Sequence, residues 1–254
     1  MEFNIVCLSL VRNMNLAFEE FTKEIDLQIM DLERNNVRII VLPEYCWRLT
    51  PMEEVMIYIN TLKTRVSPNL ILVLGTLEFV HENRYTNNCM ILHNNQLSFV
   101  PKTKVLAGEV LNNVVSGNNP GVFEFEDFKM GVLICADLWE PMLLKKLVIE
   151  QKADIIVVPA WTGTIQGNRE IARLEWHSLA KTTSTQYSVV VAVADHALNM
   201  EKTDVGNATV IFSPSNRGKK FPTDIIVTRD IETINFDSLK QSRNRWKDKG
   251  LAPL

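Results

Sequence analysis

The stretch Gly131-Val132-Leu133-Ile134-Cys135-Ala136-Asp137-Leu138-Trp139-Glu140-Pro141 ends an apolar run in a cysteine and turns polar at once. Val132 to Ile134 have the composition of a buried strand. Pro141, followed by Met142-Leu143-Leu144-Lys145-Lys146, has that of a helix with proline in its first turn. A cysteine between two such elements sits at a turn. The turn exposes the sulfur, and backbone N–H groups at the helix start can stabilise a thiolate or an oxyanion. Free cysteine is also among the most buried residue types, so a last inward residue of a core strand is the competing reading of Cys135.

Working outward, Val37-Arg38-Ile39-Ile40-Val41-Leu42 is nearly continuous in apolar residues, as in a strand covered on both faces. It stops at Pro43-Glu44-Tyr45-Cys46-Trp47. Phe3 to Leu10 reads as the first strand. Phe18, Phe21, Ile25, Ile29 and Leu32 recur every three or four residues, which predicts an amphipathic helix over 15–35. A second helix is predicted over 51–65 and a strand containing Gly75 over 70–77. Asn87 to Leu92 and Gln96 to Val100 pair as a hairpin around His93-Asn94-Asn95. Residues 101–120, rich in Lys, Asn and Gly, read as irregular. Strands over 122–128 and 130–135, a helix over 141–151 and a strand over 154–158 follow. The remainder reads as a helix over 168–186, strands over 187–194, 208–212 and 224–228, and a helix over 236–246. Strands alternate with helices at both ends, with a run of strands between. That is an α/β chain with a mixed sheet or two sheets. No linker, low-complexity segment or repeat divides it, so one domain over 1–254 is expected.

The 254 residues are 46% apolar and 22% charged, which suits a globular chain. A net charge of −3 implies no polybasic surface for nucleic acid or membrane. No apolar run is long enough for a transmembrane helix. The N-terminus has an acidic second residue and lacks the basic region of a signal peptide. Cys7, Cys46, Cys89 and Cys135 lie far apart without CxxC spacing. A disulfide framework or zinc ribbon is therefore not expected, and a cytoplasmic location is. The histidines are scattered, with no HxxxH or HExxH pair, so no metal is expected.

Polar residues at the ends of buried strands are where α/β proteins place their sites. Glu44 ends the second strand, Lys102 or Lys104 follows the hairpin, and Cys135 ends its own strand. A carboxylate, an ammonium and a thiol form a workable nucleophilic set. The ammonium lowers the thiol pKa and stabilises developing negative charge, while the carboxylate moves protons. Taken singly, the glutamate and the lysines read as solvated loop residues, so the joint pattern carries the argument.

That joint pattern resembles the nitrilase, or carbon–nitrogen hydrolase, superfamily. Leu42-Pro43-Glu44 is similar to its strand-ending glutamate motif. Pro101-Lys102-Thr103-Lys104-Val105-Leu106-Ala107-Gly108-Glu109 is similar to its lysine loop ending in Gly-Glu. Gly131 to Asp137 is similar to its "G-x-x-I-C-x-D" nucleophile motif. Weaker echoes are Ala153 to Trp161 and Gly206 to Pro214, where Thr209 stands for a serine. The resemblance implies a four-layer αββα sandwich forming a homodimer or larger assembly, with no cofactor. It implies Glu44 as general base, Lys102 and the Ala136 N–H as oxyanion donors, Cys135 as nucleophile, and Glu109 as a positioner of substrate and lysine. Lys102 rather than Lys104 fits the family lysine.

Cys135-Ala136-Asp137 resembles amidases more than true nitrilases, which carry Cys-Trp-Glu there. Trp139 stands where many omega-amidase and carbamoylase-like members have arginine, which removes that anchor for an anionic substrate. The Asp-Leu-Trp wording is similar to the glutaminase domains of glutamine-dependent NAD synthetases. Tyr45, Trp139 and Trp161 are candidates to line an apolar pocket, with core packing as the competing reading. The expected activity is hydrolysis of a small linear amide through a cysteine thioester. An amide-forming acyl transferase, a nitrile hydrolase and a non-catalytic binding protein of this fold stay open as alternatives.

Overall fold

The computed structural model describes residues 2–10, 17–48, 50–163, 168–196, 206–214 and 229–248. The chain runs β1 (Glu2–Leu8), α1 (Phe18–Glu33), β2 (Val37–Val41), α2 (Met52–Arg65), β3 (Ile71–His81), β4 (Arg84–His93), β5 (Gln96–Pro101), α3 (Ala107–Leu111), β6 (Gly121–Glu124) and β7 (Lys129–Val132). A short 3-10 turn, Cys135–Trp139, leads into α4, which starts at Pro141 and continues with π-type geometry over Lys145–Glu150. Then follow β8 (Ile155–Pro159), α5 (Arg169–Tyr187), β9 (Val190–Ala194), β10 (Val210–Phe212), β11 (Arg229–Asn235) and α6 (Phe236–Asp248).

The strands form two sheets, in the orders β11-β1-β2-β3-β4-β5 and β10-β9-β8-β7-β6. Each has a parallel centre, β1-β2-β3 and β7-β8-β9, flanked by antiparallel strands. The apolar alternation along each central strand fixes the layering. Ile39 and Val41 of β2 join Met130, Val132, Ile155 and Val157 in the core between the sheets. Ile40 and Leu42, one residue out of phase, pack with Phe21, Ile25, Val55 and Ile59 of α1 and α2. Each such aliphatic side chain stabilises by about 1.5–3 kcal/mol when fully buried. With α5 against β9 and β10, the layers are helix, sheet, sheet, helix, as expected.

Several boundaries differ from the sequence expectation. β3 extends past Leu77 to His81 and returns through Glu82-Asn83, both at positive φ (49° and 63°), so β3–β4 is itself a hairpin. Exposed polar residues at its tip hid that pairing. The expected Asn94-Asn95 turn is present, again with both residues at positive φ. Residues 107–111 form a helical turn inside the segment read as irregular. Tyr187 stays in α5 and Ser188 caps it at φ 51°, so the strand begins only at Val190. The strand expected over 130–135 stops at Val132. The one expected over 224–228 lies outside the described residues, and β11 follows it at Arg229 as an edge strand.

Candidate active site

The turn after β2 is held from three sides. Gly75, at φ +67°, lets the two chains close up: a Cβ there would stand 2.1 Å from the Pro43 carbonyl oxygen and 2.4 Å from Cys46 Sγ. Tyr45, also at positive φ, donates its N–H to Thr76 Oγ1 at 2.8 Å. The buried Trp47 indole donates to the Leu74 carbonyl and packs against Phe21 and Tyr58. Glu44 is thereby held facing the second sheet. Its own N–H donates to the Ala160 carbonyl at 3.3 Å.

Around the Glu44 carboxylate, three donors converge. Oε1 accepts from Asn87 Nδ2 at 2.8 Å and from Lys102 Nζ at 2.9 Å, and Oε2 accepts from the Trp161 N–H at 3.1 Å. Lys102 follows β5 directly and is pinned through its backbone to Asn87 and Gly117. Its ammonium also donates to Glu109 Oε1 at 2.7 Å. Glu109 in turn accepts from the Tyr45 hydroxyl at 2.9 Å, and from the Leu106 N–H at 2.8 Å across the first turn of α3.

Cys135 opens the 3-10 turn at φ +48°, a conformation that L side chains adopt rarely. Its thiol donates to the Trp161 carbonyl at 3.7 Å, and Glu44 and Lys102 both lie close enough to act on its charge. Asp137 fixes this turn against the lysine loop. Its carboxylate accepts from the N–H groups of Ile134 (3.0 Å), Thr103 (3.1 Å) and Lys104 (2.5 Å). One buried side chain thus joins the Cys135 turn to the segment that follows Lys102.

Burial dominates the electrostatics. It raises the Glu44 carboxyl above its ordinary value, against the opposing pull of the Lys102 ammonium. For Lys102, burial acts to lower the pKa, but the Glu44 and Glu109 carboxylates outweigh it and hold the amine charged. The expectation of an exposed, acidified thiol is corrected here. Cys135 is 5% exposed, and burial together with the Glu44 charge pushes its pKa up despite Lys102. At rest the sulfur therefore keeps its proton, beside a carboxylate whose own proton affinity is raised.

No protein-family profile and no curated protein sequence matches the chain. Solved structures do. Saccharomyces cerevisiae Nit3, described as a member of branch 10 of the nitrilase superfamily, superposes with a TM-score of 0.76 at 18% identity, covering 96% of this chain and 94% of Nit3. A CN-hydrolase superfamily protein from Xanthomonas campestris gives 0.74 at 13% identity, covering 100% and 98%. An amidase from Nesterenkonia sp. gives 0.73 at 13%, covering 98% and 96%. The chain has the nitrilase-superfamily fold.

In this nitrilase fold the chain ends of β2, β5, β7 and β8 bring Glu44, Lys102, Cys135 and Trp161 together, with Glu109 and Tyr45 alongside. Ala136, the second residue of the 3-10 turn, is buried beside Cys135. Trp161 contributes its backbone to the cluster, while its ring packs edge-on to Tyr45 at 5.6 Å. Lys104 and Trp139 stand apart. Lys104 is half-exposed and pairs with Glu140 at 3.3 Å. Trp139 is 47% exposed with its ring against Trp176, so it is neither in the core nor in this cluster.

Three polar residues of the site were not singled out in the sequence. Asn87, in β4, donates to Glu44. Past the end of β9, His196 has Nε2 2.5 Å from the Glu44 carbonyl oxygen, which makes Nε2 the protonated nitrogen. Asp195 accepts from the Thr162 hydroxyl and from the N–H groups of Thr162, His196 and Ala208. The strand-end rule that found Glu44 and Cys135 would also have found Asp195 and His196. Asn87 carried no such signal.

Proposed function

We propose that the chain is a carbon–nitrogen hydrolase that cleaves a small linear amide to an acid and ammonia or an amine. The observation that carries this reading is a buried thiol on which Glu44 and Lys102 both act, with the Lys102 ammonium 2.9 Å from the Glu44 carboxylate. The amidase among the structural neighbours supports the reaction class. A carboxyl of raised proton affinity is suited to take a proton from a thiol and later return it.

On this reading the Cys135 sulfur attacks the amide carbon as its proton passes to Glu44. The tetrahedral oxyanion is met by the Lys102 ammonium and the Ala136 N–H, one of those a helix start leaves without an intrahelical partner. Glu44 gives the proton to the departing nitrogen, and the C–N bond breaks to leave a thioester on Cys135. Glu44 then takes a proton from water, hydroxide adds to the thioester, and the acid leaves as sulfur recovers its proton. Lys102 stays charged throughout. The same thioester could pass to an amine, which would make the protein an acyl transferase. The substrate-binding roles of Glu109 and Tyr45, a single catalytic domain and a cytoplasmic location belong to the same proposal. Four free cysteines suit a reducing compartment. A homodimer is proposed on the exposed apolar side chains Trp139, Met142, Ile171 and Leu174.

Ammonia release from a broad amide panel tests the reading, with and without added amines. Turnover lost in Cys135→Ala and Glu44→Gln is the expected result. A panel that stays silent, or turnover that survives Cys135→Ala, would sink it.

A further inference from the structure

Arg48 ends the turn that carries Glu44. Its N–H donates to the Tyr45 carbonyl at 3.0 Å, and the buried neighbour Trp47 anchors the turn. Its guanidinium carbon lies 5.6 Å from the Tyr45 ring centroid and 5.4 Å from that of Trp161. Both rings belong to residues bonded to the reacting groups. The Tyr45 hydroxyl donates to Glu109, the Trp161 N–H to Glu44, and the Trp161 carbonyl accepts from Cys135. The guanidinium therefore stands over two rings whose residues contact Glu109, Glu44 and Cys135.

Arg38, Arg65, Arg229 and Arg243 each pair with an aspartate, whereas among the described residues Arg48 has no carboxylate within ion-pair distance. Its side chain is exposed. Stacking on rings holds a guanidinium in place without using its in-plane N–H donors. Those donors form a fork that fits a carboxylate. The charge of the site makes such a cation necessary for any anionic substrate. Glu44 and Glu109 oppose the single ammonium of Lys102, so an anionic substrate would be repelled unless another cation met it.

We infer that Arg48 is a specificity anchor and that the site takes amides whose acyl part carries a carboxylate. The inference rests on the amidase reading above. It replaces the anchor that Trp139 removes with one on a different loop.

Monoamides of linear dicarboxylic acids, compared with unbranched fatty amides of equal length, read it directly. In the wild type, kcat/KM for the anionic series should exceed that for the neutral series by roughly ten-fold or more. Arg48→Gln should erase that ratio chiefly through KM, and Arg48→Glu should invert it toward amides with a terminal ammonium. No anionic preference in the wild type, or equal losses in both series in Arg48→Gln, overturns the inference while leaving the amidase reading intact. A second measurement needs no turnover: the ratio of iodoacetate to iodoacetamide labelling rates at Cys135, followed by peptide mass. The ratio should fall several-fold in Arg48→Gln, and an unchanged ratio counts against the anchor. A silent amide panel overturns the amidase reading and with it the assignment of amides, while the labelling ratio still decides whether Arg48 draws anions to the thiol.

Discussion

Lys102 Nζ lies 2.9 Å from Glu44 Oε1, with the two side chains only 2% and 1% exposed. The same ammonium bridges to Glu109 at 2.7 Å. A cation shared by two carboxylates in a dry site is a structural keystone as well as a source of charge. Removing it should show in stability before any assay is run.

Lys102→Ala leaves Glu44 and Glu109 facing each other without a counter-charge. Breaking one partner of a buried ion pair costs about 3–5 kcal/mol. Urea unfolding should show a loss of that size, and the double variant Lys102→Ala/Glu44→Gln should lose less than the two single variants together. A stability loss in the double variant equal to the sum of the singles would refute the coupling.

Asp137→Ala orphans three backbone N–H groups at once, those of Ile134, Thr103 and Lys104. The expected cost is about 2–4 kcal/mol, with Asp137→Asn milder because one oxygen remains as acceptor. The lysine loop and the Cys135 turn should loosen together. The iodoacetamide rate at Cys135 should therefore change in Asp137→Ala, and an unaltered rate would show that the tie does not position the thiol.

Asp195 should tilt stability against pH. Burial raises its carboxyl from 3.8 to about 6, although donors from Thr162, Ala208 and His196 pull it down. Between those values the folded protein holds a proton that the unfolded chain has released. The stabilisation is complete below the unfolded value and is lost as pH rises through about 6, by on the order of 3 kcal/mol. Asp195→Asn cannot titrate. The gap between wild-type and variant unfolding free energies should therefore change across that window at constant ionic strength. Parallel curves would contradict the shift.

Gly75→Ala places a Cβ 2.1 Å from the Pro43 carbonyl oxygen at a φ of +67°. Overpacking and the left-handed backbone together should cost about 2–4 kcal/mol, read as a lower urea midpoint. Because the displaced chain is the turn that carries Glu44, the labelling rate at Cys135 should shift as well. A stable variant with normal labelling would show that the turn can relax elsewhere.

What was legible in the sequence was periodic or local. The three-to-four residue spacing from Phe18 to Leu32 marked α1, and the apolar run at Val37 to Leu42 marked a strand covered on both faces. Glu44 and Cys135 were visible because each breaks an apolar run abruptly at a strand end. The hairpin tip at Glu82-Asn83 and the capping of α5 by Ser188 were not visible, since both depend on single residues at positive φ. Nor was the balance at the thiol, because burial is a property of the surrounding layers.

Side-chain periodicity in the sequence marked the elements and their buried faces but left one mixed sheet or two open, and the four-layer order came only as what the nitrilase resemblance implies. The sequence also placed Glu44, Lys102 and Cys135 where strands end. Only the tertiary structure decided which ends meet. The sheet orders bring β2, β5, β7 and β8 to one edge, set Lys102 rather than Lys104 on Glu44, and leave Trp139 outside with Trp176. They also bring Arg48 over Tyr45 and Trp161, residues from opposite sheets and more than a hundred positions apart in the chain. Sheet order, set by long-range burial, fixes such meetings, and no local pattern encodes them.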